Sequence, residues 1–212
     1  MMKRSFLAIL GLLFIVCISQ AAPKPAVIPV SNIWTINTEF AHPQKIIMQN
    51  ESTNQLKRYW YMIITLTNNT GRDVDFYPNC ELMTDTFQII PAGKGVASIV
   101  FERIKERHRN RYPFLKNFNT ADNKLLQGED NACDLAIIWE DFDKKAQNIK
   151  VFITGLSNET AVVEHPVAKD QERQPIKVYL RKTLELSYDI KGDPALISGV
   201  ELQFNGKRWI MR

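Results

Sequence analysis

The chain contains few of the residues that build metal and thiol sites. It has three cysteines and three histidines among 212 residues, and none of them show the spacing of two to four residues that is typical of zinc ligand pairs. The pattern G-x-S-x-G is also missing, which removes the nucleophile-elbow form of serine hydrolase. Other catalytic triads stay open, because their members need not be close in sequence. The sequence therefore predicts no cofactor and no metal site.

Long hydrophobic runs are scarce as well. The one marked run covers residues 6–18, and it is shorter than the roughly 20 residues that a membrane-spanning helix needs. Basic residues precede the run and small residues follow it, which is the layout of a secretory signal peptide: Lys3, Arg4, Ser19, Ala21 and Ala22. We expect residues 1–22 to be a cleaved signal peptide and the protein to be exported, to the periplasm or the extracellular space. A permanent membrane anchor is the weaker alternative.

Cleavage would leave about 190 residues, enough for one domain with a sizeable core. We expect residues 23–32 to form a flexible N-terminal segment and residues 33–212 to form a single domain. The whole chain has 27 basic and 23 acidic residues, a net charge of +4. Loss of Lys3 and Arg4 would leave 25 against 23, or +2. Bulk charge of this size predicts no partner, and with export it disfavours nucleic acid.

Alternation of apolar residues predicts several β-strands. In the stretch "RYWYMIITLT" at residues 58–67, one face is purely apolar and the other carries tyrosines and threonines. Residues 135–139 are apolar on both faces, which is typical of a central strand. Residues 149–153 form another predicted strand. Residues 177–190 alternate with one solvated face, and a bulge or bend is expected near Lys182. Asn205-Gly206 predicts a two-residue hairpin turn.

One segment has helical periodicity instead. Apolar residues recur at spacings of four over residues 96–108, with charges between them. Many short strands with one helical insertion predict an all-β fold. Our interpretation is an immunoglobulin-like antiparallel β-sandwich, in which the aromatic strand at residues 58–67 belongs to the core.

Two cysteines would remain after cleavage, Cys80 and Cys133. An oxidising compartment would let them form a disulfide if their strands are neighbours. The alternative is two separate buried thiols, because sequence spacing does not give the geometry.

Acidic residues cluster in two places, around residues 129–134 and 140–143. They could bind calcium, or they could supply the acid and base of a hydrolase that acts on glycan or ester substrates. The default interpretation is solvated carboxylates in loops. The residues concerned are Glu129, Asp130, Asp134, Glu140, Asp141 and Asp143.

The strongest functional signal is a basic segment, "ERIKERHRNR", at residues 102–111. It concentrates five cations against two carboxylates, and such a patch can contact lipid head groups, acidic polysaccharide or another protein. The alternative is a solvated helix face whose basic last turn complements the helix dipole. The predicted contact residues are Arg103, Lys105, Arg107, Arg109 and Arg111.

Five stretches of the chain resemble a group of exported bacterial proteins of the kind found in planctomycetes, to which no activity is assigned. They are "TLTNNTGRDVDFYP", "LLQGEDNACDLAIIW", "GLSNET", "YLRKTLELSYDI" and "KRWIMR". The resemblance covers most of the chain after the predicted signal peptide. It implies a periplasmic or cell-surface location and transfers no catalytic residue. We therefore expect a non-catalytic binding or structural module of the cell envelope, with an envelope component or another protein as its partner.

Overall fold

The computed structural model describes residues 25–29, 31–49, 54–193, 196 and 198–212. The predicted signal peptide at residues 1–22, with Cys17, lies outside the described residues. Among the residues that are described, no helix has the length and apolar character needed to cross a membrane.

The described chain is built mainly of strands. In chain order these are β1 (Ala26–Val27), β2 (Asn37–Phe40), β3 (Gln44–Gln49), β4 (Leu56–Asn68), β5 (Val74–Asp75), β6 (Asn79–Thr84), β7 (Ile89–Pro91), β8 (Lys116–Asn117), β9 (Lys124–Leu125), β10 (Gly128–Glu140), β11 (Asn148–Thr154), β12 (Thr160–Lys169), β13 (Pro175–Gly192) and β14 (Val200–Met211). The α-helix α1 (Ser98–His108) lies between β7 and β8, and a short 3₁₀ helix covers Phe118–Thr120.

The strands form two main sheets and a small β5–β9 pair. The larger sheet has the order β1-β12-β13-β11-β6-β7, with β14 paired to β13. The smaller sheet has the order β2-β4-β10-β8, with β3 also paired to β4. All strand pairs in these two sheets are antiparallel except β8 with β10.

Apolar side chains from both sheets share one core. The inward face of β4, with Trp60, Met62 and Ile64, packs in the same cluster as Leu184 and Leu186 of β13. The opposite face of the smaller sheet forms a second cluster with α1. Three layers result: the larger sheet, the smaller sheet and the helix. The predicted all-β fold with one helix is confirmed, and the arrangement is sandwich-like, whereas the strand order does not establish an immunoglobulin-like topology.

Two central strands match their predicted patterns. On β4 the face with Tyr59 and Tyr61 is covered by α1, so the aromatic strand is a core strand on both sides. On β10, Leu135 to Trp139 are all buried. A strand that alternates between two apolar cores has no solvated face, which explains its continuous hydrophobic run.

The predicted hairpin at Asn205-Gly206 is wrong. The segment is one continuous strand, β14, which pairs with β13 along its length. Gly206 pairs with Ser187 and Phe204 pairs with Tyr188, so Asn205 is the extra residue of a bulge. Pairing with a long neighbouring strand satisfies more backbone groups than a hairpin with arms of about five residues would.

The strand at residues 177–190 also differs from its prediction. The pairing shows no register shift at Lys182; instead, the partner on one edge of β13 changes there, from β12 up to Arg181 to β11 from Leu184 onward. On the other edge, β14 pairs with β13 from Lys182 onward. Thr183 and Glu185, expected on a solvated face, are buried. Val178, expected to be inside, is exposed, because β12 and the first part of β13 extend beyond the core.

The structure contains no disulfide between Cys80 and Cys133. Both are free thiols. Cys80 lies on β6 of the larger sheet and Cys133 on β10 of the smaller sheet, so their strands are not paired neighbours. Burial raises the pKa of the Cys80 thiol well above its usual value. The alternative of two separate thiols is the correct one for this structure.

Candidate functional site

The helix α1 follows a tight glycine turn and packs with one face on the smaller sheet. Gly93 and Gly95 have φ angles of +76° and +72°, a backbone conformation that suits glycine, and they turn the chain from β7 toward the helix. Val100 and Ile104 are the buried residues of α1, at the predicted spacing of four. The helix prediction at residues 96–108 is confirmed.

Tyr61 on β4 connects the last turn of α1 to the sheet by hydrogen bonds. The Tyr61 hydroxyl lies 2.9 Å from Nε2 of His108 and donates to Oε1 of Gln44 at 3.0 Å. Burial lowers the pKa of His108, and the neighbouring cations Arg107 and Arg111 lower it further. The imidazole is therefore neutral at pH 7, and it adds no charge to this end of the helix.

A groove with a volume of about 1110 Å³ runs between α1 and the β3–β4 pair. The lining residues that the structure describes are apolar, cationic or neutral polar, and none of them is acidic. Two of the apolar side chains are well exposed: Ile99 at 56% and Ile47 at 36%. The lining residues on the helix side are Ala97, Ile99, Val100, Arg103 and Arg107, and those on the strand side are Ile46, Ile47, Met48, Gln49, Asn54, Lys57 and Tyr59.

The structure divides the predicted basic segment into two faces. Arg103 and Arg107, one helical turn apart, both line the groove. Lys105, Arg109 and Arg111 are exposed but are not among the groove-lining residues. Arg109 lies 3.7 Å from the Glu106 carboxylate, and Arg111 lies over the Tyr112 ring. Only two of the five predicted contact residues thus share one concave surface.

The two groove arginines differ in how they are held. Arg107 donates from Nη1 to the carbonyl oxygen of Lys45 and to the Tyr61 hydroxyl, both at 3.4 Å. Arg103 has no ion pair or hydrogen bond with any residue that the structure describes. Arg107 is therefore partly a structural link between α1 and β3, whereas the Arg103 guanidinium is open to the groove.

Sequence reasoning missed the opposite wall of the groove. Lys57 lines the groove and forms an ion pair with Glu140, and its ammonium group also lies over the Tyr59 ring at 5.1 Å. The strand β3 was not predicted at all. Its apolar run Ile46-Ile47-Met48 within polar residues was the available signal for a short strand, but nothing local indicated that it would lie beside α1.

The predicted acidic clusters do not converge into one site. Asp134 accepts from the Thr65 hydroxyl at 2.6 Å, Asp141 pairs with Arg58 at 2.9 Å, and Glu129 and Asp130 are exposed. Asp143 accepts from the backbone N–H of Lys145, and this bond lowers the pKa of its carboxyl. No group of three or more metal-ligating residues occurs among the described positions.

A smaller pocket of about 380 Å³ adjoins β10 and contains Cys133, with Asp134 as the one member of the predicted acidic clusters. Burial raises the pKa of the Cys133 thiol, with Asp134 and Asp122 acting in the same direction and Lys116 against it. The thiol form is favoured, so this cysteine lacks the lowered pKa of an activated nucleophile.

Comparisons of the chain with protein-family models, curated proteins and solved structures find no match.

Proposed function

We propose that this protein is an exported, non-catalytic binding module that contacts an anionic component of the cell envelope through the groove between α1 and β3–β4. The observation that carries the proposal is the lining of that groove, which has Arg103 and Arg107 on the helix side and Lys57 on the strand side. Among the described lining residues there is no carboxylate, and Arg103 has no ion pair with any described residue. Concave surfaces of one charge sign attract ligands of the opposite sign. Exposed Ile99 on α1 adds apolar contact area to the groove.

The net charge of the chain does not drive the proposed binding, because its basic and acidic residues nearly balance. It also favours binding over the alternative of a secreted hydrolase. Three of the carboxylates that a hydrolase would need are engaged by Lys57, Arg58 and Thr65. Of the predicted acidic residues, only Asp134 lies in the pocket of about 380 Å³ beside β10.

Co-sedimentation of the purified protein with envelope fractions, at low and high salt, tests the proposal. The informative variant is Arg103→Glu, and Lys105→Glu is its matched control, because it makes the same charge change on an exposed residue of the same helix outside the groove. We expect salt-sensitive binding that Arg103→Glu weakens about tenfold, equivalent to 1.4 kcal/mol, and that Lys105→Glu leaves nearly unchanged.

Two outcomes would contradict the proposal. If both variants lose binding equally, the ligand is attracted by the charge of the whole helix surface, and the groove is not the specific contact. Unchanged binding in both would make the basic segment a solvated surface, and hydrolase substrates would then be the next ligands to test.

A further inference from the structure

Among the described strands, β3 pairs on one edge only, and its other edge is open. It pairs with β4 on one side, in the register Gln44↔Tyr61 to Gln49↔Leu56. Just before β3, the N–H of Ala41 donates to the carbonyl oxygen of Ile63 at 2.8 Å. Backbone groups alternate in direction along a strand, so Tyr61, Tyr59 and Lys57 also point toward β3. Their register partners Gln44, Ile46 and Met48 complete the ladder.

The alternate residues of β3 therefore direct their backbone groups away from β4: Lys45, Ile47 and Gln49. The Arg107 bond to the Lys45 carbonyl agrees with this direction and covers one end of the edge. In the part of the chain that the structure describes, the N–H and C=O of Ile47 have no strand partner. An open edge of this kind is a template for another strand.

Three kinds of contact are thus available together. The edge at Ile47 offers a backbone donor and acceptor, and the side chain of Ile99 offers apolar surface. Arg103 offers a cation without an ion pair among the described residues. An inorganic anion would use only the last of these, and an acyl chain with an acidic head would leave the backbone edge unused. The volume of about 1110 Å³ also exceeds the roughly 300 to 1000 Å³ of usual small-molecule pockets.

We infer that the groove binds an extended acidic peptide segment of a partner protein, which adds as a strand to the open edge of β3 and directs carboxylates to Arg103. Strand addition draws affinity from main-chain hydrogen bonds and specificity from alternate side chains. The inference rests on the proposed function, because it names the ligand class of the same groove.

The test is fluorescence anisotropy with a labelled peptide of alternating glutamate and valine, seven residues long, titrated with protein to millimolar concentration. We compare it with a lysine–valine peptide, with the same glutamate–valine peptide N-methylated at every amide, and with dodecanoate as a competitor. We expect the glutamate–valine peptide to bind, Arg103→Glu to weaken it about tenfold, and Lys105→Glu to change it little. The lysine–valine and N-methylated peptides should bind at least tenfold more weakly.

The protein side of the edge is tested with Ile47→Pro against Ile47→Val. Proline removes the outward N–H and is tolerated on a strand edge that faces away from the ladder, whereas valine keeps the N–H and most of the apolar contact. We expect a loss of peptide binding in the proline variant alone. If that variant fails to fold, the N-methylated peptide still decides whether main-chain hydrogen bonds matter.

The inference and the proposed function fail in different ways. Strand addition would be overturned if the glutamate–valine peptide does not bind at millimolar concentration. It would also be overturned if the N-methylated peptide binds equally well, whether or not dodecanoate displaces it. Co-sedimentation that still depends on Arg103 would then leave the anion-binding function standing. If Arg103→Glu affects neither assay, both fail.

Discussion

Trp60 and Trp139 lie directly opposite each other on β4 and β10, yet only one of their indole nitrogens has a hydrogen-bond partner within the described part of the chain. Both side chains are fully buried in the core between the sheets. Trp60 donates from Nε1 to Oδ1 of Asp141 at 3.0 Å, whereas Nε1 of Trp139 has no hydrogen-bond partner among the described residues. The two residues form a natural matched pair, because they share the side chain, burial and strand register.

This pair predicts unequal costs for the same substitution. Trp60→Phe and Trp139→Phe remove similar volume, but Trp60→Phe also breaks a hydrogen bond to a carboxylate, and Trp139→Phe removes an unsatisfied buried donor. We expect Trp60→Phe to lower the free energy of unfolding by about 1 to 2 kcal/mol more than Trp139→Phe. Urea denaturation of both variants measures the difference. Equal losses would mean that cavity formation alone sets the cost.

His108 gives the fold a dependence on pH. Burial, followed by the charges of Arg107 and Arg111, lowers the pKa of His108 in the folded protein. The unfolded chain, with a histidine pKa near 6.5, then binds more protons than the folded protein in the interval below that value. Stability contributed by neutral His108 is complete above about pH 6.5 and is lost as the pH falls from there toward the lowered folded pKa.

We expect His108→Gln to flatten the change in unfolding free energy between about pH 7.5 and 5.5, relative to the wild-type protein. Glutamine cannot take up a proton, but its amide can still face the Tyr61 hydroxyl. The substitution His165→Gln, at an exposed histidine of β12, is the matched control. A wild-type slope that persists in His108→Gln would assign the pH dependence to another group.

The elements near the groove show which parts of the fold were predictable. The strands β4 and β10 and the helix α1 carry their signal in local periodicity, because both faces of each strand and one face of the helix are apolar. The place of β3 beside α1 depends on contacts such as Ile46 with the Val100–Ile104 cluster, across about fifty residues of chain. No local pattern encodes that contact, so sequence analysis found two groove cations and missed Lys57 and the open edge.

Asn205-Gly206 illustrates the opposite error. Its local turn preference was strong, but β13 provides a continuous partner for β14. The Asn205-Gly206 dipeptide therefore lies within the strand, with Asn205 as the extra residue of a bulge. Tertiary pairing with β13 outweighed the local turn preference. The unexpected burial of Glu185 has the same origin, because its covering cations come from β11 and β14.

Glu185 is 3% exposed and is held by cations on the two neighbouring strands. Arg208 on β14 approaches to 2.9 Å and Lys150 on β11 to 3.5 Å. Desolvation by burial raises the pKa of Glu185, but the Arg208 hydrogen bonds and the Lys150 charge outweigh it, and the net pKa is lowered. A lowered carboxyl pKa contributes stability that is present above the unfolded value and is lost as pH falls through the folded value.

We expect Glu185→Gln to lower the free energy of unfolding by about 1 to 3 kcal/mol at pH 7, because it removes charge-assisted hydrogen bonds at a buried position. The difference from wild type should shrink as the pH falls from about 4.5, the unfolded value, through the lowered folded pKa, because below that pKa the wild-type carboxyl is also uncharged. Glu201→Gln, at an exposed position on β14, is the matched control. A loss that is the same at pH 7 and at pH 3 would show that packing, not charge, is responsible.

The free thiols of Cys80 and Cys133 predict that reducing agent has no effect on stability. A disulfide between them would close a loop of 133 − 80 = 53 positions, and such a loop is worth about 4 kcal/mol in the chain-entropy model. We expect the urea midpoint of protein purified without reductant to stay the same when dithiothreitol is added. Site-resolved alkylation in denaturant should label both cysteines completely.

The variant Cys133→Ser is an independent test of whether Cys80 and Cys133 are free thiols or form a disulfide, since this variant cannot form the disulfide. Cys133 is only partly buried, so its replacement by serine should cost less than replacement of the fully buried Cys80. The variant should respond to reductant as the wild-type protein does. A wild-type midpoint that drops on reduction to that of Cys133→Ser would show that the protein forms the disulfide in solution. The strands β6 and β10 would then have to approach more closely than they do in this structure.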